Sequence, residues 1–207
     1  NAFLAAALQG DHKACLKLSA EKVTKAADIE TFYLQILQPV LYEVGMLWER
    51  GEISVANEHL ASAIVSRVMA SVNLTADYAE TSRGKAIVAS PSNELHEIGA
   101  AMVSDVLEHN GWDVDYIGAN IPLNELLAHM REHPPTLLAL SVTIPFNLDR
   151  AKEIIDTVRT DTTLADVKIM VGGRVFNDNC DLWKNVGADG YAANLNDLRV
   201  LAESWSH

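Results

Sequence analysis

The most informative segment of the chain begins Lys85-Ala86-Ile87-Val88-Ala89 and continues through Ser90-Pro91-Ser92-Asn93-Glu94-Leu95-His96-Glu97-Ile98-Gly99. Its first five residues are an apolar run that predicts a buried β-strand. Glu94 stands two residues before His96, where a carboxylate can take the proton of one ring nitrogen and leave the other as a basic lone pair. Gly99 lets a bulky group approach the backbone. The loop therefore predicts an imidazole aimed at a ligand, and a metal is the ligand we expect.

From residue 84 onward, short apolar runs alternate with amphipathic segments. Strands are predicted at Lys85–Ala89, Trp112–Ile117, Leu137–Val142, Val167–Val171 and Gly190–Ala193. Helices are predicted between and after them, near 97–110, 122–132, 147–160, 177–186 and 195–205. Strict alternation of strand and helix predicts an α/β domain over 84–207, with a flavodoxin- or Rossmann-like, doubly wound sheet of five parallel strands.

Residues 1–80 show helical periodicity only. A short helix over residues 3–9 ends at Gly10, and Asp11 caps the next. A long helix starts at Asp28 and contains Pro39, and a fourth helix is capped by Ser54. Four helices joined by short turns predict a four-helix bundle.

The predicted sheet brings several motifs to one edge, because ligands of such sheets bind beyond the carboxyl ends of the strands. Glu94 and His96 follow the first strand, Ser141-Val142-Thr143 ends the third, and Gly172-Gly173 ends the fourth. We call this edge the rim. The agreement of three motifs is stronger evidence for a binding site than any one of them.

The rim lacks the signatures of several common ligands. The loop after the first strand has no GxGxxG dinucleotide fingerprint, and neither a Walker A lysine nor a cluster of aspartates is present. A zinc site would need more histidine or cysteine ligands than the single His96. One imidazole suits a metal that brings its other ligands in a ring, as haem and corrinoids do.

Composition excludes further classes of function. The chain has 207 residues, a hydrophobic fraction of 49% and a net charge of −12, so direct contact of this segment with nucleic acid is not expected. No apolar run reaches the roughly 18 residues that span a membrane. Two distant cysteines suggest a reducing, cytoplasmic setting. The chain begins Asn1-Ala2, which we interpret as a tag remnant, so that native neighbouring segments are expected to be missing.

The rim motifs resemble those of cobalamin-binding domains. Glu94-x-His96-x-x-Gly99, Ser141-x-Thr143 and Gly172-Gly173 are similar to that family's DxHxxG, SxL/SxT and GG signature, in the same order and after a helical bundle. Glu94 departs from the usual aspartate but can accept the same hydrogen bond. The resemblance covers nearly the whole chain.

The resemblance implies a role for each motif. His96 would be the lower axial ligand of cobalt, in the place vacated by the cofactor's dimethylbenzimidazole tail, with Glu94 as its hydrogen-bond partner. Ser141 and Thr143 would line the slot for the tail. The two glycines, Gly172 and Gly173, would leave room for its ring.

The helical half resembles one branch of this family, the light-sensing regulators of the CarH/LitR type. Trp48, nine intervening residues and then Glu58-His59 are similar to their Wx9EH motif. The resemblance implies a helical cap above the corrin, with Trp48 against the adenosyl ligand and Glu58 and His59 closing the pocket. Some sensors carry a histidine after the tryptophan; Glu49 stands there, so a second cobalt-binding histidine would come from elsewhere, such as His59.

These residues lead us to expect a regulatory, light-sensing protein that binds adenosylcobalamin and is not itself an enzyme. Its output module would be absent from this segment, and it could form homo-oligomers. The main alternative is a corrinoid methyl carrier of a methyltransferase system, which would hold methylcobalamin. A scaffold whose cofactor site has decayed is a third alternative, which the intact rim disfavours.

Overall fold

A computed structural model describes residues 2–74 and 83–206. The chain divides into two compact units, residues 1–77 and 78–207. The boundary predicted from the sequence, between 80 and 84, falls mainly on residues outside the described ranges.

The first unit is helical, as predicted. Its helices are α1 (Ala2–Leu8), α2 (His12–Lys22), α3 (Ala27–Phe32), α4 (Gln38–Glu49) and α5 (Val55–Asn73). A π-helical turn, Tyr33–Leu37, joins α3 to α4, so these two form the single long helix that the sequence predicts. The turn lies just before Pro39, which has no N–H for the usual helical hydrogen bond.

Both predicted helix caps form. Asp11 Oδ1 accepts a hydrogen bond from Ala14 N at 3.0 Å, at the start of α2. At the start of α5, Ser54 Oγ accepts from Asn57 N at 3.2 Å, and Asn57 Oδ1 accepts from Ser54 N at 3.2 Å. This reciprocal capping box satisfies amides that a helix leaves unpaired in its first turn.

The second unit is built on the predicted five-stranded parallel sheet. Its strands are β1 (Lys85–Pro91), β2 (Asp113–Ile121), β3 (Leu137–Ser141), β4 (Lys168–Gly172) and β5 (Gly190–Ala192), in the order β2-β1-β3-β4-β5. Every neighbouring pair is parallel. The carboxyl ends of β1, β3 and β4 therefore lie side by side on the rim.

Helices cover both faces of this sheet. They are α6 (Ile98–His109), α7 (Leu123–Glu132), α8 (Leu148–Thr160), α9 (Arg174–Asp178), α10 (Leu182–Asn185) and α11 (Leu195–Ser204). The buried apolar side chains of α7, α8 and α9 form one core with Ile87 and Ala89 of β1. The helices α6 and α11 contact each other and the strands. None of the helices in the described ranges is both long and apolar enough to cross a membrane.

One predicted helix is wrong in its extent. The sequence predicted a continuous helix near 177–186, but α9 and α10 are separated by Asn179–Asp181. Asn179 is extended, with φ −147 and ψ 94, and its side-chain oxygen accepts from Asp181 N at 3.3 Å. An asparagine that hydrogen-bonds its own backbone in this way competes with the helical hydrogen bonds.

Candidate cofactor site

Glu94 is fully buried just after β1 and is surrounded by hydrogen-bond donors. Its Oε1 accepts from the backbone N of His96 at 3.2 Å and lies 2.6 Å from His96 Nδ1. Its Oε2 accepts from Thr143 N at 2.9 Å, Ile144 N at 3.0 Å and Asn147 Nδ2 at 3.1 Å. The loop after β3 is thus fastened to the loop after β1 through one carboxylate.

These donors keep the carboxylate ionised. Burial by itself would raise the pKa of Glu94, but the hydrogen bonds from His96, the amides of Ile144 and Thr143, and Asn147 lower it from 4.5 to about 2. An ionised carboxylate can only accept, so Nδ1 of His96 carries a proton, and in the neutral ring the lone pair is then on Nε2. The His96 side chain is 53% exposed, which leaves the ring within reach of a ligand. The imidazole therefore has the tautomer and support of a metal ligand.

Other predicted residues meet on one face of the sheet beneath the rim. Ser141 pairs with Gly172 across β3 and β4. Gly99, in the first turn of α6, faces Ser141, because a Cβ on Gly99 would lie 3.9 Å from Ser141 Oγ. Strand alternation places Ser90, at the end of β1, on this same face. The structure thus brings together residues that are far apart in sequence.

Ser90 was not predicted as a site residue, and its state suggests an occupant. It is fully buried, and its Oγ has no hydrogen-bond partner within residues 2–74 and 83–206. A buried hydroxyl is normally paired, so an unpaired one beside a binding rim fits a polar group of a ligand. No sequence pattern distinguished it from the strand that it ends.

The packing of the fold explains why glycine occupies positions 172 and 173. Gly173 has φ 101, which side chains rarely adopt, and a Cβ there would overlap the backbone carbonyl of Val142. A Cβ on Gly172 would lie 3.1 Å from the carbonyl oxygen of Ala192, which is tighter than ordinary contact. Backbone packing thus already favours glycine at both positions. Their role in leaving room for a cofactor stays a prediction.

Two large apolar side chains are exposed on the rim. Leu95, between Glu94 and His96, is 72% exposed, and Phe146, next to Asn147, is 92% exposed. Apolar side chains exposed beside convergent polar groups are typical of ligand sites. They fit a cofactor with a broad apolar surface around its metal.

The donor set also fits such a cofactor. Among the described residues, no group of three or more histidine, cysteine, aspartate or glutamate side chains could hold a metal ion. His96 is thus a lone imidazole with a carboxylate partner. This arrangement suits a metal whose other ligands come from its own ring.

The helical unit places the three remaining predicted residues at its surface. Trp48, near the end of α4, is 47% exposed. In the first turns of α5, Glu58 Oε1 accepts from Ser62 Oγ at 2.7 Å, while Glu58 Oε2 lies 3.7 Å from His59 Nε2. The His59 side chain is 69% exposed. These side chains are accessible but held by few contacts.

The sequence missed two parts of the Glu94 environment. Asn147 is only 4% exposed and bonds Glu94, yet in the sequence it is merely the first residue of a predicted helix. Thr143 is predicted to line the slot for the cofactor's tail. The contact that the structure shows is a hydrogen bond from its backbone amide to Glu94. Because every residue except proline has a backbone N–H, the residue type does not indicate which amides donate to Glu94, and the sequence could not show this contact.

Known proteins similar to this chain include corrinoid proteins and a transcriptional repressor. The dimethylamine corrinoid protein 1 of Methanosarcina acetivorans is 26% identical over 203 residues, which cover 97% of this chain and 94% of that protein. The dimethylamine corrinoid protein of Methanosarcina barkeri is 28% identical over 164 residues, covering 78% and 76%. The HTH-type transcriptional repressor CarA of Myxococcus xanthus is 29% identical over 197 residues, covering 94% of this chain and 64% of the repressor.

The fold and the family agree with these relatives. The monomethylamine corrinoid protein of Methanosarcina barkeri has the same fold, with a TM-score of 0.82 over 98% of this chain and 95% of its own, at 20% identity. The B12 binding domain matches residues 84–197, and a second family model of the same description matches residues 1–73. This chain therefore belongs to the B12 binding domain family and is a corrinoid-binding protein.

Proposed function

We propose that this chain is the corrinoid-carrying protein of a methyl-transfer system. The dimethylamine corrinoid proteins support this function, because the similarity to one of them extends over 97% of this chain and 94% of the relative. They favour it over the light-sensing function that the sequence motifs suggested. When bound, the corrinoid would supply a cobalt that accepts and releases a methyl group, and methylcobalamin is the form expected.

The observation that carries the proposal is the hydrogen bond between His96 Nδ1 and Glu94 Oε1, at 2.6 Å on the rim. It directs the Nε2 lone pair outward, so His96 is the lower cobalt ligand. Glu94 fixes the tautomer and the ring direction, and the amide of Thr143 fixes Glu94. We assign the cofactor's tail to the face that holds Ser90 and Ser141, together with three glycines: Gly99, Gly172 and Gly173.

The helical unit would contribute to the upper side of the cofactor. Trp48, Glu58 and His59 are the residues we assign there, on the Wx9EH resemblance and on their exposure. The chain would act as a carrier, while partner methyltransferases would supply the catalytic groups for each transfer. A cytoplasmic location stays a prediction.

Binding and transfer test the proposal separately. The chain is mixed in the dark with methylcobalamin, and bound cofactor is separated by gel filtration and read by its absorption spectrum. We expect micromolar binding, with transfer of the methyl group to a thiol acceptor only when a partner methyltransferase is added. Absence of binding would refute the cofactor site, whereas binding without transfer to the thiol by any added methyltransferase would refute the carrier function alone.

A second candidate function is light-dependent regulation. The 29% identity to the repressor CarA over 94% of this chain, together with Trp48 and Glu58-His59, specifically favours it. This function predicts tighter binding of adenosylcobalamin than of methylcobalamin. It also predicts a change in oligomeric state on illumination, measured by light scattering before and after exposure. A chain that prefers the methyl form and does not respond to light is not a sensor.

A further inference from the structure

The edge strand β2 is irregular where it approaches the His96 loop. Its pairing with β1 shifts by one residue between Val88 and Ala89, and again between Ala89 and Pro91. Within this stretch, Gly118 has φ 85 and Asn120 has φ 58. Asn120 is one of two non-glycine residues with positive φ in the described ranges. Irregularities of this kind are frequent near functional sites, where they redirect a side chain.

The redirected side chain meets the loop that carries His96. Asn120 Oδ1 accepts a hydrogen bond from Asn93 N at 2.8 Å. Next to it, Ser92 Oγ donates to the carbonyl of Ile121 at 2.9 Å. Asn93 is the other residue with positive φ, at 68°, in a turn that Glu94 N closes onto Pro91 O at 3.0 Å. The end of β2 therefore fastens the turn directly before Glu94.

Asn93 is also held from the opposite side. Its carbonyl accepts from Asn147 Nδ2 at 3.3 Å. With its amide oriented to accept, Asn93 Oδ1 receives Arg150 Nε at 3.1 Å and Nη2 at 3.2 Å. Asn147 and Arg150 follow β3, so the turn is held between two elements on either side of β1. Removing either set of contacts would free the turn on that side.

We propose that Asn120 is a positioning residue for His96, acting through Asn93 and the turn that leads to Glu94. The inference rests on the proposed role of His96 as the cobalt ligand. A His96 ring that is correctly placed before binding loses less freedom when it ligates cobalt. Loss of the Asn120 contact should therefore shift bound cofactor away from histidine ligation, without abolishing binding.

The substitutions separate the hydrogen bond from the backbone conformation. Asn120→Gly keeps the positive φ at no steric cost but removes the acceptor. Asn120→Asp keeps an acceptor oxygen and also tolerates this conformation. Asn124→Ala is the control. Asn124 lies at the exposed start of α7, and its side chain donates a hydrogen bond to its neighbour Glu125.

The readout is the nitrogen that ligates cobalt. The intact chain is labelled with ¹⁵N and loaded with cob(II)alamin, so that histidine ligation splits the electron paramagnetic resonance lines into doublets and an unlabelled tail base gives triplets. For Asn120→Gly we expect the ratio of histidine-ligated to other bound cofactor to fall roughly threefold, as for loss of one exposed hydrogen bond. Asn120→Asp and Asn124→Ala should match the unsubstituted chain.

Amide hydrogen exchange provides a reading without cofactor. The amides of residues 93–96 should exchange faster in Asn120→Gly than in the unsubstituted chain or in Asn124→Ala. If the unsubstituted chain shows histidine ligation and Asn120→Gly does not change the ratio, this inference alone is overturned. It is overturned likewise if Asn120→Asp lowers the ratio as much as Asn120→Gly does. Absence of histidine ligation in the unsubstituted chain would overturn the role of His96 and this inference with it. Unchanged amide exchange at residues 93–96 in Asn120→Gly would show that Asn120 does not hold the turn.

Discussion

The rim and the helical unit hold their predicted site residues in different ways. On the rim, Glu94 is fully buried, and His96, Thr143, Ile144 and Asn147 donate hydrogen bonds to it. In the helical unit, Glu58 and His59 lie 3.7 Å apart at the surface. A ligand that must point at one metal position needs a rigid support, whereas residues that cover an exchangeable group can be held more loosely. Matched substitutions in the two regions test this difference.

The largest difference is expected between two glycines. Gly173→Ala should lower the free energy of unfolding by about 3 kcal/mol, because φ 101 disfavours a side chain and the added Cβ would overlap the Val142 carbonyl. Gly45→Ala, in α4, should instead raise stability by about 0.5–1 kcal/mol, because alanine favours helix and, apart from its chain neighbours and its own helix backbone, no described residue has a heavy atom within 4 Å of the added Cβ. Urea denaturation measures both. Similar effects at the two positions would contradict the description of the rim.

A matched pair of glutamates gives the next difference. Glu94→Ala leaves the amides of Thr143 and Ile144 without their buried acceptor, which should cost about 3 kcal/mol of stability. Glu58→Ala removes one bond from Ser62 and should cost less than about 1 kcal/mol. Denaturation of the cofactor-free chain gives both values. A loss at Glu58 as large as that at Glu94 would remove the distinction between the regions.

The two histidines should differ in cofactor binding. His96→Ala should weaken cobalamin binding by at least the roughly 10- to 100-fold that loss of an outer-shell partner costs. It should also abolish the histidine-ligated spectrum. His59→Ala should keep that spectrum and change affinity little, because the His59 side chain is 69% exposed and its Nε2 lies 3.7 Å from the Glu58 carboxylate, beyond hydrogen-bond distance. Titration followed by absorption tests both substitutions. Loss of the histidine-ligated spectrum in His59→Ala, with its retention in His96→Ala, would make His59 the cobalt ligand instead of His96.

The smallest effect concerns the upper ligand. Trp48 is 47% exposed, and its indole can pack on a bulky group without positioning the metal. Trp48→Ala should therefore change the ratio of adenosylcobalamin to methylcobalamin affinity several-fold, while binding of either form persists. Parallel titrations with the two cofactors measure the ratio. An equal loss for both forms would place Trp48 in the fold and not at the upper face.

The sequence predicted the sheet well because its signals are local. Apolar runs such as Ile87–Ala89 and the amphipathic helices between them are read from periodicity, and their alternation predicts a parallel sheet. The strand order β2-β1-β3-β4-β5 came only from the structure. The end of β2 was placed at Ile117 instead of Ile121, because Gly118 and Asn120 interrupt the apolar pattern. Those residues take positive φ, and that irregularity cannot be inferred from periodicity.

Residue type and spacing were enough to predict the helical and α/β halves, the rim, and the motif that identifies His96 and Glu94. The contacts that hold these residues in place were known only once the chain was folded. Among the described residues the hydroxyl of Ser90 has no hydrogen-bond partner, Asn147 reaches Glu94 across 53 positions, and Asn120 reaches Asn93 across 27. Contacts between residues so far apart in sequence depend on how the whole chain folds. A backbone N–H can donate at any residue except proline, whatever its side chain. For that reason the sequence could predict Glu94 as the partner of His96, but the groups that hold Glu94 and Asn93 could be found only in the folded chain.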